Sequence, residues 1–224
     1  MRPVIVMDTE TCPVKKMDAV LPSNMWTYDM GWSVVDIDGT PLVDRSFIVA
    51  EIFLREAERM KSAYYAKKIL QYWEDIKSGK RILTSWYNIR KILLADIEEY
   101  GIKRVFAHNA RFDYGTLNQT HKHITNGKYY YFFPKEIQVC DTLKMSRDVI
   151  GKMPTYKKFC AENGYLDKLG RPRHTAEILY RFITKDNDFV ESHTALEDVM
   201  IEKEILAYCY RQHKKMRVLL YENK

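Results

Sequence analysis

The 224 residues carry 36 Lys and Arg against 30 Asp and Glu, for a formal charge of +6, and include 16 Tyr, 9 Phe and 4 Trp. That length suffices for one α/β domain with a substantial core, and the excess of cations favours a polyanionic partner. No apolar run approaches the roughly 18–20 residues of a membrane span, and the short run at residues 4–7 cannot serve as a signal segment. Cys12, Cys140, Cys160 and Cys209 form neither a CxxC pair nor a zinc-type cluster, so a soluble, cytoplasmic protein with reduced thiols is expected.

The chain opens on a short apolar run at residues 4–7 that ends in acids. Residues 31–37, followed by Asp38-Gly39, read as a strand entering a hairpin turn, and residues 41–50 as the strand that returns. Three strands therefore come first, as an antiparallel meander. From about residue 52 to 100 the spacing becomes helical and charge-rich, broken at Lys77-Ser78-Gly79-Lys80, which predicts two helices, the second closed by Gly101. Val105-Phe106-Ala107 is a short buried strand with a helix after it from about residue 110, an alternation that implies parallel strands and a right-handed crossover.

Residues 126–139 contain Tyr129-Tyr130-Tyr131-Phe132-Phe133-Pro134, which fits either a strand or an aromatic arm. Beyond Val139-Cys140-Asp141-Thr142, helices are expected near residues 142–149, 155–163 and 175–183, and a last long helix over about residues 194–214. No repeat, low-complexity tract or interdomain linker interrupts the pattern, so residues 1–224 read as one domain with a helical elaboration at about 52–100.

Asp8-Thr9-Glu10 sets two carboxylates at i and i+2, which in a strand project from one face a few ångströms apart. Alone the pair would repel and one member would hold a proton, whereas Mg²⁺ or Mn²⁺ would keep both ionised and take their hard oxygens as ligands. Such a short motif also describes two solvated acids at a strand end. Other acids must decide.

After the strand at Val105 comes His108-Asn109-Ala110-Arg111-Phe112-Asp113, in which Asn109 suits an N-cap and Asp113 then falls at the fourth helical position, beside the end of the strand. Nearer the C-terminus, in Ser192-His193-Thr194-Ala195-Leu196-Glu197-Asp198, Thr194 and Glu197 match the S/T-x-x-E capping box. This makes His193 and Asp198 the two positions that touch across a helix start. An imidazole would there sit against a carboxylate, where an ordinary helix has a hydrophobic staple.

The three segments together resemble the DEDDh, or DnaQ-like, branch of the DEDD exonucleases. Asp8-Thr9-Glu10 is similar to the first motif of that family, His108 through Asp113 to its HNxxFD motif, and His193 through Asp198 to its HxALxD motif. Cys140-Asp141-Thr142-Leu143-Lys144-Met145-Ser146-Arg147 resembles the DTLxMAR stretch between the last two. The likeness runs from Val4 to about Tyr208. Two features depart from it: Thr11-Cys12-Pro13 and a long excursion to Trp26 stand where the family often has Thr-Thr-Gly, and the stretch at 52–100 is longer than in compact members.

The resemblance implies an RNase H-like α/β fold, a mixed central sheet of an antiparallel meander plus parallel strands flanked by helices. It also implies a 3′–5′ exonuclease using two divalent ions, Mg²⁺ or Mn²⁺. Asp8 would bridge the ions, Glu10 and Asp198 would complete one site, Asp113 would support the other, and His193 would accept the proton of the attacking water. Thr11, His108 and Asn109 are candidates for the terminal nucleotide. Lys152, Lys157, Lys158, Arg171 and Arg173 could follow the backbone, and the aromatic cluster at 129–133 is either a base-stacking platform or a buried strand. The expected substrate is the 3′ end of single-stranded DNA. The alternatives are RNA trimming, which the same chemistry allows, and a silent nucleic-acid- or partner-binding module, against which the intact set of acids argues.

Overall fold

The computed structural model describes residues 3–14, 21–63 and 66–221. Six strands form one sheet: β1 (Val4–Pro13), β2 (Met25–Val35), β3 (Pro41–Val49), β4 (Ile82–Thr84), β5 (Arg104–Ala107) and β6 (Gln138–Asp141). Their spatial order is β4-β3-β2-β1-β5-β6. The first three pair antiparallel, as the turn at Asp38-Gly39 dictates, while β4, β5 and β6 join in parallel. The result is a mixed α/β sheet of RNase H-like type, as expected.

Among the described residues, the helices are α1 (Ala50–Phe53), α2 (Ala57–Met60), α3 (Ile69–Ser78), α4 (Trp86–Glu99), α5 (Ala110–Ile124), α6 (Thr142–Val149), α7 (Pro154–Glu162), α8 (Ala176–Thr184) and α9 (Ala195–Arg211). No described helix is long and apolar enough to cross a membrane. Strand alternation sorts the core into two layers. Ile5 and Met7 on β1 pack with Tyr28, Met30 and Trp32 of β2 and with Trp86, Leu93 and Leu117 from α4 and α5. Val4 and Val6 face the opposite way, into a layer built from α6 to α9 around Met145, Tyr156, Leu179, Val199 and Ile205.

Two expectations are corrected, and one left open is decided. The first strand continues through the acids to Pro13, because β2 pairs along its whole length, with a bulge between Glu10 and Thr11. The stretch at 52–100 holds the edge strand β4 as well as helices, since residues 82–84 pair beside Phe47, Ile48 and Val49. Only three residues long, this strand offers too little alternation to be read in advance. The aromatic run at 129–133 is no strand: Phe132 and Phe133 are buried, and Tyr129, Tyr130 and Tyr131 stand exposed on a loop. Of the excursion between Pro13 and Trp26, residues 15–20 lie outside the described residues, and Pro22–Asn24 form a 3-10 turn.

Candidate active site

Because β1 alternates, Asp8 and Glu10 follow Val4 and Val6 onto the face covered by α9. Across the ladder Glu10 pairs with Asp29 and Asp8 with Gly31. The start of α9 lies directly on Gly31: a Cβ there would fall 2.4 Å from the Leu196 backbone nitrogen, so only glycine lets the helix come this close. The approach brings Asp198 to the strand. Carboxylate oxygens of Asp8, Glu10 and Asp198 lie within 4.8 Å of one another.

Asp113 arrives from the other layer. It sits in the first turn of α5, where its Oδ1 accepts a hydrogen bond of 2.8 Å from Thr9 Oγ1, a β1 side chain pointing away from Asp8. All four acids nevertheless open on one cavity of about 380 Å³, lined also by Thr9, Thr11, His108, Asn109 and His193. Residues more than a hundred positions apart in the chain thus open on one cavity.

His193 has a left-handed backbone (φ 52°), unusual for a non-glycine residue and of the kind that surrounding structure must enforce. Its carbonyl accepts from Lys68 Nζ at 3.4 Å, and its Nδ1 lies 3.8 Å from Glu191 Oε2. His193, Glu191 and Asp198 form a second group whose ligand atoms are within 4.8 Å of one another. The imidazole and the Asp198 carboxylate are therefore neighbours, as the staple positions implied.

The capping box itself is replaced. Thr194 Oγ1 donates to the Glu197 side chain at 2.8 Å, and the Ala195 N–H is capped by Asp29 Oδ2 of β2 at 3.1 Å. Asp29 is held in turn by Tyr72 (3.0 Å) and by Arg81, whose fully buried guanidinium also bonds Ser46 and Asp75 and reaches Glu197 Oε2 at 2.6 Å. Lys80 bonds the other oxygen of Glu197. Tyr72, Asp75, Lys80, Arg81 and Lys68 all come from the stretch at 52–100, so that elaboration braces the helix carrying Asp198.

His108 and Asn109 differ from expectation in detail. Both ring nitrogens of His108 have protein partners, Thr142 Oγ1 at 3.0 Å and the His174 carbonyl at 2.8 Å, so the ring braces the cavity wall. Asn109 occupies the cap position of α5 in a left-handed conformation (φ 67°), without a side-chain cap bond, and its side chain is exposed at the cavity mouth. Asp141 is instead the N-cap of α6: its Oδ1 accepts from Leu143 N at 2.9 Å and also from Asn109 N at 3.2 Å, which ties the starts of α5 and α6 together. Thr11 lines the cavity just past the bulge.

Sequence reading missed two further acids. Glu202 lies one turn beyond Asp198 on the same face of α9, and its Oε2 accepts the His108 N–H at 3.1 Å. Glu191 precedes His193 by two residues. Their positions relative to Asp198 and His193 were the available signal. For Arg81 there was none.

So many carboxylates crowded together are poor at staying ionised. Burial, then Asp29 and Asp198, pushes Glu10 up to about 10, and burial and Glu191 push Asp198 up to about 8. Burial lifts Asp113 to about 7 against the opposing Thr9 bond, and Glu191 to about 7. Asp8 is raised well above the carboxylate range, by burial and then by Asp113, Glu202 and Asp198. His193 is lowered by burial and then by Lys68. A hard divalent cation is the group whose charge and oxygen preference fit this donor set.

Of the five cations proposed to follow a nucleic-acid backbone, Lys152, Lys158 and Arg171 each pair with an acid four residues away. Lys157 is exposed on α7. Arg171 and Arg173 line, with Arg147, a cavity of about 890 Å³ that shares Asp8, His108 and Asn109 with the acidic centre.

No protein-family model matches this chain, and no curated protein matches it in sequence. Solved structures match in shape. The nuclease domain of 3′hExo, a DEDDh family member bound to rAMP, superposes with a TM-score of 0.60 at 10% identity, covering 97% of this chain and 96% of that one. The fold is that of a DEDDh nuclease domain. Pop2p of S. pombe, in a Mg²⁺- and Mn²⁺-bound form, superposes as well, at a TM-score of 0.51 and 12% identity, over 95% of this chain and 84% of that one. Exonuclease I of Methylocaldum szegediense does so at a TM-score of 0.56 and 14% identity, and there this chain spans 42% of the larger chain.

Proposed function

We propose that this chain is a metal-dependent 3′–5′ exonuclease that releases nucleoside monophosphates from single-stranded DNA, working as one domain elaborated at residues 52–100. The supporting observation is the convergence of Asp8, Glu10 and Asp198 within 4.8 Å. Asp113 and His193 line the same cavity, in a fold otherwise met in DEDDh nucleases. Asp8, Glu10 and Asp198 would hold one Mg²⁺ or Mn²⁺, and Asp8 with Asp113 a second. When bound, such ions activate a water and neutralise charge on the leaving 3′ oxygen.

The chain's own residues supply the rest. His193, kept neutral near pH 7 by its depressed pKa, takes the proton of the attacking water. Asp198 and Glu191 flank the ring and favour the imidazolium once it forms. Asn109 and Thr11, at the cavity mouth and wall, contact the terminal nucleotide, while Arg171 and Arg173 meet phosphates in the adjoining cavity. The four cysteines are free and buried, in keeping with work in the cytoplasm.

RNA is the second reading, carried by the rAMP bound in one neighbour of the same fold. Purified protein given Mg²⁺ or Mn²⁺ and 5′-labelled single-stranded DNA, duplex DNA and RNA will produce a ladder of shortened products on the true substrate. Asp8→Ala and His193→Ala will both abolish it. Equal degradation by wild type and variants would refute the assignment.

A further inference from the structure

The aromatic run that the nuclease reading leaves unused forms a solvent-facing surface on the loop after α5. Tyr129, Tyr130 and Tyr131 are 54%, 53% and 63% exposed in succession, and Tyr221, whose ring meets that of Tyr114, is 62% exposed. Consecutive large exposed rings mark a contact surface, whereas a solitary one would not. Phe132 and Phe133 anchor the loop beneath, with the Phe132 N–H on Asn118 Oδ1 at 2.9 Å and its carbonyl on Arg90 Nε at 2.8 Å. The exposed rings are thereby held on a fixed base.

Cations accompany the rings. Lys122 lies 5.9 Å from the Tyr130 ring centroid and Lys128 5.3 Å from that of Tyr129, which also stacks on His121. Lys135 joins Tyr114, Tyr131 and Phe133 around a groove of about 430 Å³. Between residues 114 and 140 Glu136 is the sole acid. The surface is therefore both cationic and aromatic.

It begins at the end of α5 that borders the candidate active site. Arg111, Tyr114 and Lys122 follow the three-and-four spacing of one helical face, which starts two positions after the cavity-lining Asn109 and extends about 16 Å along α5, on the side of the helix turned away from Asp113. Tyr114 contacts Tyr221 edge-on and stacks parallel to Phe133.

We propose that this face, Arg111 through Tyr114 to Tyr130 and Tyr131 with Lys122 and Lys128, binds single-stranded nucleic acid upstream of the terminus in the acidic cavity. The bases would stack on the tyrosines and the phosphates would meet the lysines. This rests on the nuclease reading for its direction, but its test does not require hydrolysis. Every base has a π-face and every linkage a charge, so the surface would hold the strand without reading its sequence.

The test is fluorescence anisotropy of the full chain with a labelled 12-mer and a 3-mer of oligothymidylate, in EDTA so that no cleavage intervenes. A Tyr130→Ser/Tyr131→Ser double variant will weaken 12-mer binding at least about fivefold while leaving the 3-mer unchanged, since a lost base stack is worth at least that much. Tyr130→Phe/Tyr131→Phe will keep wild-type affinity, and thermal melting will show all variants folded. Lys122→Gln/Lys128→Gln will flatten the dependence of log affinity on log salt by about 1.4, two single-strand phosphate contacts. Equal 12-mer affinity in the wild type and the serine variant would overturn the proposal, as would an equal loss on both lengths. A chain that binds through this face yet hydrolyses nothing would refute the nuclease reading alone.

Discussion

Arg81 Nη2 and Glu197 Oε2 are 2.6 Å apart, a bond that ties a residue just before the edge strand β4 to the first turn of α9, one position before Asp198. The same guanidinium bonds Asp29, which caps Ala195. An ion network buried between β2 and the start of α9 thus sets where the third acidic motif begins.

Breaking that network will be costly. Arg81→Met leaves Asp29 charged and fully buried without its cation, and the loss of one member of such a pair costs about 3–5 kcal/mol. Chemical denaturation will show this drop. Lys80→Ala, which removes a half-exposed partner of Glu197, will change stability by less than about 1 kcal/mol.

Gly31→Ala will separate α9 from β2. The added methyl would meet backbone atoms of Ala195 and Leu196 at 2.4–2.7 Å, and backbone cannot rotate aside as a side chain can. A destabilisation of about 1–3 kcal/mol is expected from overpacking, together with weakened divalent-cation affinity as Asp198 retreats from Asp8. Denaturant midpoints and Mn²⁺ titration will measure both.

The raised carboxyls fix the sign of the pH response. A group whose folded pKa exceeds its unfolded value gives stability that is present below the unfolded pKa and lost as pH rises through the folded one. With Asp113 near 7, Asp198 near 8 and Glu10 near 10, the cation-free protein will lose thermal stability as pH climbs from about 5 to 9. Mn²⁺ will offset the loss, so its melting-temperature increment will be larger at pH 8.5 than at 5.5. Differential scanning fluorimetry across pH checks this directly.

His193→Asn will lower kcat by about 10²–10⁴ with little change in KM, the effect of removing a general base that does not anchor substrate. In the wild type the acid limb of the rate profile will lie below the ordinary imidazole value of 6.5, because burial and Lys68 depress the His193 pKa. Steady-state kinetics over pH 5–8 separates these outcomes.

Much of this architecture was legible in the chain. The acids at 8 and 10 fall on one face because a strand alternates, and Asp113 and Asp198 sit in first turns where the caps predicted them. What stayed hidden is tertiary. Thr194 and Glu197 have the letters of a capping box, yet Arg81 and Lys80 claim Glu197 and Asp29 caps the helix from another strand. Asn109 has the letter of an N-cap, but a left-handed backbone takes its side chain out of cap geometry. Local pattern cannot foresee a partner brought from 116 positions away.

The most direct measurement is calorimetric titration of Mn²⁺ into the protein in the presence of a nucleoside monophosphate, for the wild type and for Asp8→Asn, Asp113→Asn and Asp198→Asn. The wild type will take up about two ions per chain. Asp8→Asn will disturb both binding events and Asp113→Asn chiefly one. Wild-type stoichiometry and affinity retained in all three variants would mean that these acids do not share a cation site, and would contradict the account at its centre.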